Sequence, residues 1–346
     1  MADLVLDLLD RRPIWALPPW AVEEIREALP SDWSLFAART FADGSGDGAG
    51  APSPEVLEAV RGARVYVGFG VRPEILEAGK ATLEWVHTGT AGVGGSLHPA
   101  MMASPVQFTN SAGIHGPPMA ETVLAMLLHF ARGLDLAVRA QQEGRWGDAP
   151  FLEADAPVRE LASMTVGIVG YGGIGAEVGT RLTALGCRVL GLVRRPRELG
   201  PGSVDGVELL HGKDGLARLL RESHAVVLAA PHTPETHGIL SRERISTLRP
   251  DAVVVNVGRG KLLDEAALVE ALQEGRIRGA ALDVFHTEPL PPESLLWRLP
   301  NVLLTPHVSG VSRDFWRREV DLIVENLKRF LAGESLLNLV DRQRGY

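Results

Sequence analysis

The sequence predicts an α/β protein built from two doubly wound, parallel-sheet domains, and three observations carry that prediction. The N-terminal third alternates short apolar runs with helical segments, a βαβα rhythm that implies a parallel sheet with helices on its faces. Past Leu161, near-continuous apolar runs recur with helical segments between most of them, as a sheet covered on both sides requires. A length of 346 residues suits two domains, at about 150 residues each.

Taken in order, residues 4–9 form an apolar run that Arg11, Arg12 and Pro13 bound. Val22, Ile25 and Leu29 have helical spacing, and Pro30 follows them. Residues 43–54 are rich in Gly, Asp, Ala and Pro and read as a surface loop without chemistry. An apolar run at 65–67, a helix at 73–78 and a further run at 83–87 come next. Val123, Met126, Leu127, Phe130, Leu134 and Val138 recur at three and four residues, predicting one long helix over 118–143 that Gly144 ends. Residues 146–159 lack periodicity and read as a connector. Six runs, at 165–169, 188–193, 225–230, 252–257, 279–284 and 302–305, read as buried strands, and 312–331 as a C-terminal helix.

Hydrophobic residues at 45% and charged residues at 23% describe an ordinary globular chain, not a disordered one. Aromatics are only 5%, so the core must come from Ala, Val and Leu, and the 38 glycines hint at tight turns and close backbone approaches. With 35 Lys and Arg against 43 Asp and Glu, the net charge of −8 gives no global attraction for nucleic acid or anionic lipid. No apolar run approaches the roughly 18 residues of a membrane span. The start Met-Ala-Asp lacks the basic and apolar regions of a signal peptide, and the single Cys187 suits a reducing compartment. The expectation is a cytoplasmic protein.

The strongest motif is TVGIVGYGGIG at 165–175, a glycine pattern between a predicted strand and a predicted helix at 176–185. Gly170 allows the turn, Gly172 lets the backbone approach a pyrophosphate, and Gly175 permits close helix–strand packing. The helix start then offers N–H groups and partial positive charge to phosphates. A glycine-rich turn without ligand is the weaker alternative.

An NAD site places an acid about 20 residues past the glycines, to accept from the ribose 2′-OH. Here Val193 stands 18 residues past Gly175, and Arg194, Arg195 and Arg197 follow. These arginines form either a solvated basic loop or a grip on a 2′-phosphate. Loss of the acid favours the grip, hence NADP(H) preferred, with NAD(H) still possible.

Arg259, Glu288 and His307 each follow a later strand, where ligands bind in open α/β sheets. Together they offer a cation for a carboxylate, a proton donor that titrates near neutrality, and an acid to orient it. His232 and His237 lack a metal-ligand pattern, there is no cysteine cluster, and no metal is expected. Cys187 reads as core.

Gly170–Gly175, Asn256-Val-Gly-Arg-Gly260, Leu282-Asp-Val-Phe-His-Thr-Glu-Pro289 and Thr305-Pro-His-Val-Ser-Gly310 resemble, in order and spacing, the D-isomer-specific 2-hydroxyacid dehydrogenases. Ala91-Gly-Val-Gly94, Thr109-Asn-Ser-Ala-Gly113 and Asn338-Leu-Val-Asp341 resemble the same family, so the likeness covers nearly the whole chain. It implies two Rossmann-like domains with a cleft between them. Residues 115–310 would bind the dinucleotide, while 1–114 and 311–346 would form a discontinuous, flavodoxin-like substrate domain. Closure of the cleft would exclude water.

The resemblance also implies roles. Arg259 would hold the carboxylate and carbonyl of a small 2-oxo acid such as glyoxylate or hydroxypyruvate. His307 would protonate the carbonyl oxygen during hydride transfer, and Glu288 would hydrogen-bond His307 and favour its charged form. Gly170, Gly172, Gly173, Ile174, Gly175, Arg194, Arg195, Val257, Gly258, Asp283, His307 and Gly310 would form the dinucleotide site, with Asp283 at the nicotinamide carboxamide. Ala91, Gly92, Val93 and Gly94 would join Arg259 and His307 around the substrate. Gly94 stands where the family commonly has Asp.

His115 would either face the active site or, as favoured, be a hinge-loop side chain in water. Trp146 would either cross the interface of a homodimer or cap a local core. The rival reading of the whole chain is a non-catalytic, dinucleotide-sensing regulator on the same fold.

Overall fold

A computed structural model describes residues 2–41, 50–196, 206–343 and 345. The chain forms two compact units, Met1–His115 with Ser312–Tyr346, and Gly116–Val311.

In the first unit β1 (Leu4–Asp7), β2 (Leu35–Ala37), β3 (Val65–Gly68), β4 (Trp85–Thr88) and β5 (Gln107–Asn110) pair in parallel, in the order β2-β1-β3-β4-β5. Alternation along each strand splits its side chains between two cores. Leu4, Leu6, Val65 and Val67 pack with Phe315, Val320 and Ile323 of the helix Phe315–Ala332. Val5, Tyr66 and Val86 pack on the other face with Val56 and Ile75, from helices Pro54–Val60 and Pro73–Ala78. The C-terminal helix thus returns to cover the first sheet. It is pinned there by Trp316, whose Nε1–H donates to the Ile14 carbonyl at 3.1 Å.

In the second unit β6 (Thr165–Val169), β7 (Arg188–Val193), β8 (Val207–His211), β9 (Ala225–Leu228), β10 (Val253–Asn256), β11 (Gly279–Leu282) and β12 (Val302–Leu304) form a parallel seven-stranded sheet. Its order is β12-β11-β10-β9-β6-β7-β8. Val226 and Leu228 enter one core while Ala225 and Val227 enter the other, so each face is covered. Both units are doubly wound, as expected.

Three expectations change. The predicted helix over 118–143 is two helices, Gly116–Ala131 and Leu134–Gln142. Gly133 takes φ +65°, and a Cβ there would lie 2.7 Å from Phe151, so the chain turns although the apolar spacing continues. Val123, Met126 and Phe130 are buried, whereas Leu134 and Val138 are exposed at 48% and 45%. Second, the sheet has a seventh strand, because β8 is a half-buried edge strand whose sequence, Val-Glu-Leu-Leu-His, lacks a continuous apolar run. Third, the helix after the glycine turn begins at Gly173, inside the motif. The predicted loop at 43–54 lies mostly outside the described residues, and Pro54 already opens a helix capped by Ser53.

No helix among the described residues is long and apolar enough to cross a membrane.

Candidate active site

At the end of β6 the chain turns at Gly170, with φ +98°. A Cβ on Gly170 would lie 2.6 Å from the Ala230 backbone, and one on Gly175 would lie 2.2 Å from the Gly170 carbonyl oxygen. Only glycine fits at either position. At Gly172 a Cβ would meet nothing within 4 Å, so this edge of the turn is open to an approaching group. The helix Gly173–Ala184 starts without a side-chain cap, which leaves its first N–H groups for an anion. A tight turn, an open glycine edge and an uncapped helix start together fit a pyrophosphate.

The ends of β10, β11 and β12, three neighbouring strands, carry the predicted catalytic residues. Asn256 closes β10: its Oδ1 accepts from the Gly258 N–H at 3.1 Å and its Nδ2 donates to the Arg259 carbonyl at 3.0 Å. Val257 and Gly258 are buried within this turn, and Arg259 is exposed beyond it. The turn lies hard against the chain after β11, because a Cβ on Gly260 would sit 2.0 Å from the Phe285 carbonyl group.

After β11 the Phe285 N–H donates to Glu288 Oε1 at 2.9 Å. The other oxygen, Oε2, lies 2.7 Å from His307 Nδ1. This is the contact that the family resemblance implies for Glu288 and His307. His307 is held by its backbone as well, at φ +54°, a left-handed conformation that costs a non-glycine residue on the order of 1 kcal/mol or more. Its N–H donates to the Asp283 carbonyl at 2.9 Å.

Asp283 fixes the rest of that segment. It is fully buried, and its carboxylate accepts from the Thr305 hydroxyl at 2.6 Å and from the N–H groups of Val308 and Ser309 at 2.8 and 3.1 Å. The side chain therefore positions His307 through the backbone on both sides of it. Gly310 follows this anchored stretch.

At the end of β7, Val193 is buried and Arg194 and Arg195 are exposed; Arg197 lies outside the described residues. The Arg194 Nη2 donates to Glu235 Oε1 at 3.1 Å, an acid from the loop after β9 that the spacing rules do not reach. In the same loop His232 Nε2 lies 3.0 Å from His237 Nδ1. Burial lowers the His232 pKa, and the neighbouring His237, Lys261 and Arg259 lower it further. That places His232 in the field of Arg259.

In the first unit the loop after β4 presents Ala91, Gly92 and Gly94 to solvent and buries Val93. Asn110 Nδ2 donates to the Ala91 carbonyl at 2.8 Å, and the Thr90 hydroxyl donates to the Gly92 carbonyl at 2.7 Å. A Cβ on Gly94 would meet nothing within 4 Å, so no steric reason keeps Asp from this position. Beneath the loop lies a buried polar network that the sequence did not announce. Glu319 Oε1 stands 3.1 Å from His87 Nε2 and accepts from Ser111 Oγ at 3.0 Å, while His87 Nδ1 lies 2.8 Å from Thr109 Oγ1.

His115 is half-buried, edge-on to Trp15 and stacked on Phe315 at 5.3 Å. Trp146 is 92% exposed and caps no core. Cys187 is buried, with its thiol donating to the Leu161 carbonyl and its pKa pushed up by burial. Among the described residues no group of three or more His, Cys, Asp or Glu is placed to hold a metal ion.

Comparison with known proteins supplies the family. The family described as "D-isomer specific 2-hydroxyacid dehydrogenase, NAD binding domain" matches residues 124–309. A glyoxylate reductase of Korarchaeum cryptofilum is 33% identical over 296 residues, covering 84% of this chain and 79% of that protein. A D-isomer specific 2-hydroxyacid dehydrogenase from Xanthobacter autotrophicus Py2, solved with NADPH and MES, is 33% identical, with a TM-score of 0.78 over 100% of this chain and 99% of that one. The NADPH-dependent glyoxylate/hydroxypyruvate reductase of Sinorhizobium meliloti, solved with NADP and sulfate, is 27% identical, with a TM-score of 0.75 over 100% of both chains. The chain belongs to the D-isomer specific 2-hydroxyacid dehydrogenase family, as an oxidoreductase that uses a nicotinamide dinucleotide.

Proposed function

We propose that this protein reduces small 2-oxo acids of the glyoxylate or hydroxypyruvate kind to D-2-hydroxy acids, with NADPH preferred over NADH. The observation that carries the chemistry is the 2.7 Å contact between His307 Nδ1, past β12, and Glu288 Oε2, past β11, the strand that neighbours the one leading to Arg259. The observation that carries the cofactor preference is Val193, where an acid would serve NADH, followed by Arg194 and Arg195.

The contacts and the resemblance support the following roles. Glu288 occupies Nδ1 of His307, so Nε2 is the nitrogen that delivers a proton to the substrate's carbonyl oxygen. Arg259 binds the substrate carboxylate and polarises its carbonyl, a fork matched to two oxygens. Ala91, Gly92, Val93 and Gly94 are assigned to the substrate carboxylate on the resemblance. The turn at Gly170–Gly175 holds the pyrophosphate, and Val257, Gly258 and Gly310 line the remainder of the dinucleotide site; Asp283, placed at the nicotinamide carboxamide on the resemblance, is fully buried and serves the site through the segment it anchors. A reduced nicotinamide, when bound, supplies the hydride. The unit Gly116–Val311 is assigned to the dinucleotide and the other to the substrate.

We further place the protein in the cytoplasm as a homodimer. Trp146 and Leu152, 92% and 77% exposed, with Leu134 and Val138, favour a covered apolar surface. Sedimentation at micromolar concentration tests this, and a monomer would remove the dimer.

The reading is tested by steady-state assays with short 2-oxo acids and both reduced cofactors. Consumption of NADPH with a higher kcat/KM than NADH supports it. No consumption with any of these acids leaves the dinucleotide-sensing reading, and a preference for NADH removes the arginine argument.

A further inference from the structure

The order of the seven-stranded sheet reverses its progression between β6 and β9, and ligands in such sheets lie outside the strand ends at that point. The strands β7 and β9 do not touch; each pairs with β6. Yet Arg194, just past β7, and Glu235, in the loop past β9, meet at 3.1 Å. Their ion pair therefore spans the strand whose end carries the glycine turn.

Glu235 is presented by an ordered turn. Thr236 Oγ1 donates to the Pro231 carbonyl at 2.6 Å and accepts from the Thr233 N–H at 2.8 Å, and the His237 N–H donates to the Thr233 carbonyl at 2.9 Å. The carboxyl is held below the usual range by the Thr233 hydrogen bond, then by its own backbone N–H and the charge of Arg194, so it is an anion at neutral pH. Both partners are more than half exposed, at 55% and 61%. Exposed pairs of this kind contribute little to stability. What the pair does is present one cation and one anion side by side at the second-strand position.

Resting on the dinucleotide reading above, we infer that Glu235 is a specificity-determining residue for the cofactor: it accepts from the adenosine ribose hydroxyls in place of the acid missing at Val193, and it opposes a 2′-phosphate for possession of Arg194. Val193 is apolar and buried, so it offers the ribose nothing. A carboxylate arriving from the neighbouring loop restores the acceptor that a 2′-OH needs. A 2′-phosphate instead takes the guanidinium of Arg194, which Glu235 must then release, and it meets the carboxylate's charge at close range. One residue thus supports NADH and handicaps NADPH, while Arg194 does the reverse.

The test is direct calorimetric binding of NADPH, NADH and 2′,5′-ADP to the wild-type protein and to Glu235→Gln and Arg194→Gln. Glu235→Gln should tighten NADPH and 2′,5′-ADP and weaken NADH, moving the NADPH to NADH affinity ratio about tenfold, which corresponds to about 1.4 kcal/mol. Arg194→Gln should move the same ratio the other way by a similar factor. Glu235→Ala must repeat the direction of the first shift. Equal changes in both cofactors, or none, overturn the role of Glu235 while leaving the dinucleotide reading intact. Failure of the wild-type protein to bind either dinucleotide overturns both.

Discussion

At the ends of β11 and β12 the His307–Glu288 pair is set by the backbone: a left-handed φ at His307, an N–H bond to Asp283 and a carboxylate tied to the Phe285 N–H. Across the end of β6 the Arg194–Glu235 pair is held by two exposed side chains and a turn. Both are charged pairs at strand ends of one sheet, but only the first is anchored by fully buried groups. Rigidity is concentrated where the chemistry needs it. Proton transfer needs a nitrogen within a fraction of an ångström of its target. Choice of cofactor needs only a balance of charges, which exposed residues set and reset at little cost to folding.

The sharpest way to break this contrast is His307→Ala, which should lower kcat by about 10²- to 10⁴-fold while leaving the calorimetric affinity for NADPH within a few-fold. Near-normal turnover in the variant would remove His307 from the chemistry. Next is the packing that seats Arg259. Gly260→Ala places a Cβ 2.0 Å from the Phe285 carbonyl group, and backbone cannot yield there cheaply. Thermal unfolding should show a loss of about 3 kcal/mol or more; an unchanged Tm would mean the two turns are not in contact.

Asp283→Asn turns one acceptor into a donor facing the N–H of either Val308 or Ser309. It should cost about 1–3 kcal/mol and lower kcat through the displaced His307 backbone, with fluorescence-monitored denaturation and assay as readouts. If stability falls and kcat does not, Asp283 supports the fold alone.

A smaller effect concerns pH. Burial raises the pKa of Asp7, against the opposing hydrogen bond from the Tyr66 hydroxyl at 2.9 Å. The folded state then holds this proton more tightly than the unfolded chain. The associated stability is present below the ordinary aspartate value and lost as pH rises through the raised one. Relative to wild type, Asp7→Asn should gain stability as pH rises from about 4 towards neutrality, and denaturant midpoints across that range check it; a constant offset would contradict it. The smallest effect closes the contrast. Arg194→Gln and Glu235→Gln should leave the unfolding midpoint within about 0.5 kcal/mol of wild type, and a larger drop would make their pair a structural one.

Much of this was legible because strand ends are short-range signals. The apolar runs at 165–169 and 188–193 coincide with β6 and β7, and Gly170, Gly172 and Gly175 stand at their expected turn. What sequence could not supply was tertiary. At Gly133 the backbone turns left-handed while the apolar spacing runs on, and Phe151, against which a Cβ there would press, is close only in space. The strand β8 is an edge, half-exposed, so its burial gives no continuous run. Glu235 reaches Arg194 over 41 residues, and Glu319 reaches His87 over 232, so no local spacing rule finds either. The polar residues of β4 and β5 (His87, Thr88, Thr109, Asn110) were the available signal for the buried network, as breaks in apolar strands.

The central claim is a reductase whose proton comes from His307. Mixing the wild-type protein with NADPH and either glyoxylate or hydroxypyruvate, and following the loss of reduced-nicotinamide absorbance, tests it most directly. The account predicts steady consumption with both acids and, from hydroxypyruvate, the D-hydroxy acid on chiral analysis. The absence of consumption, or the L product, would contradict it.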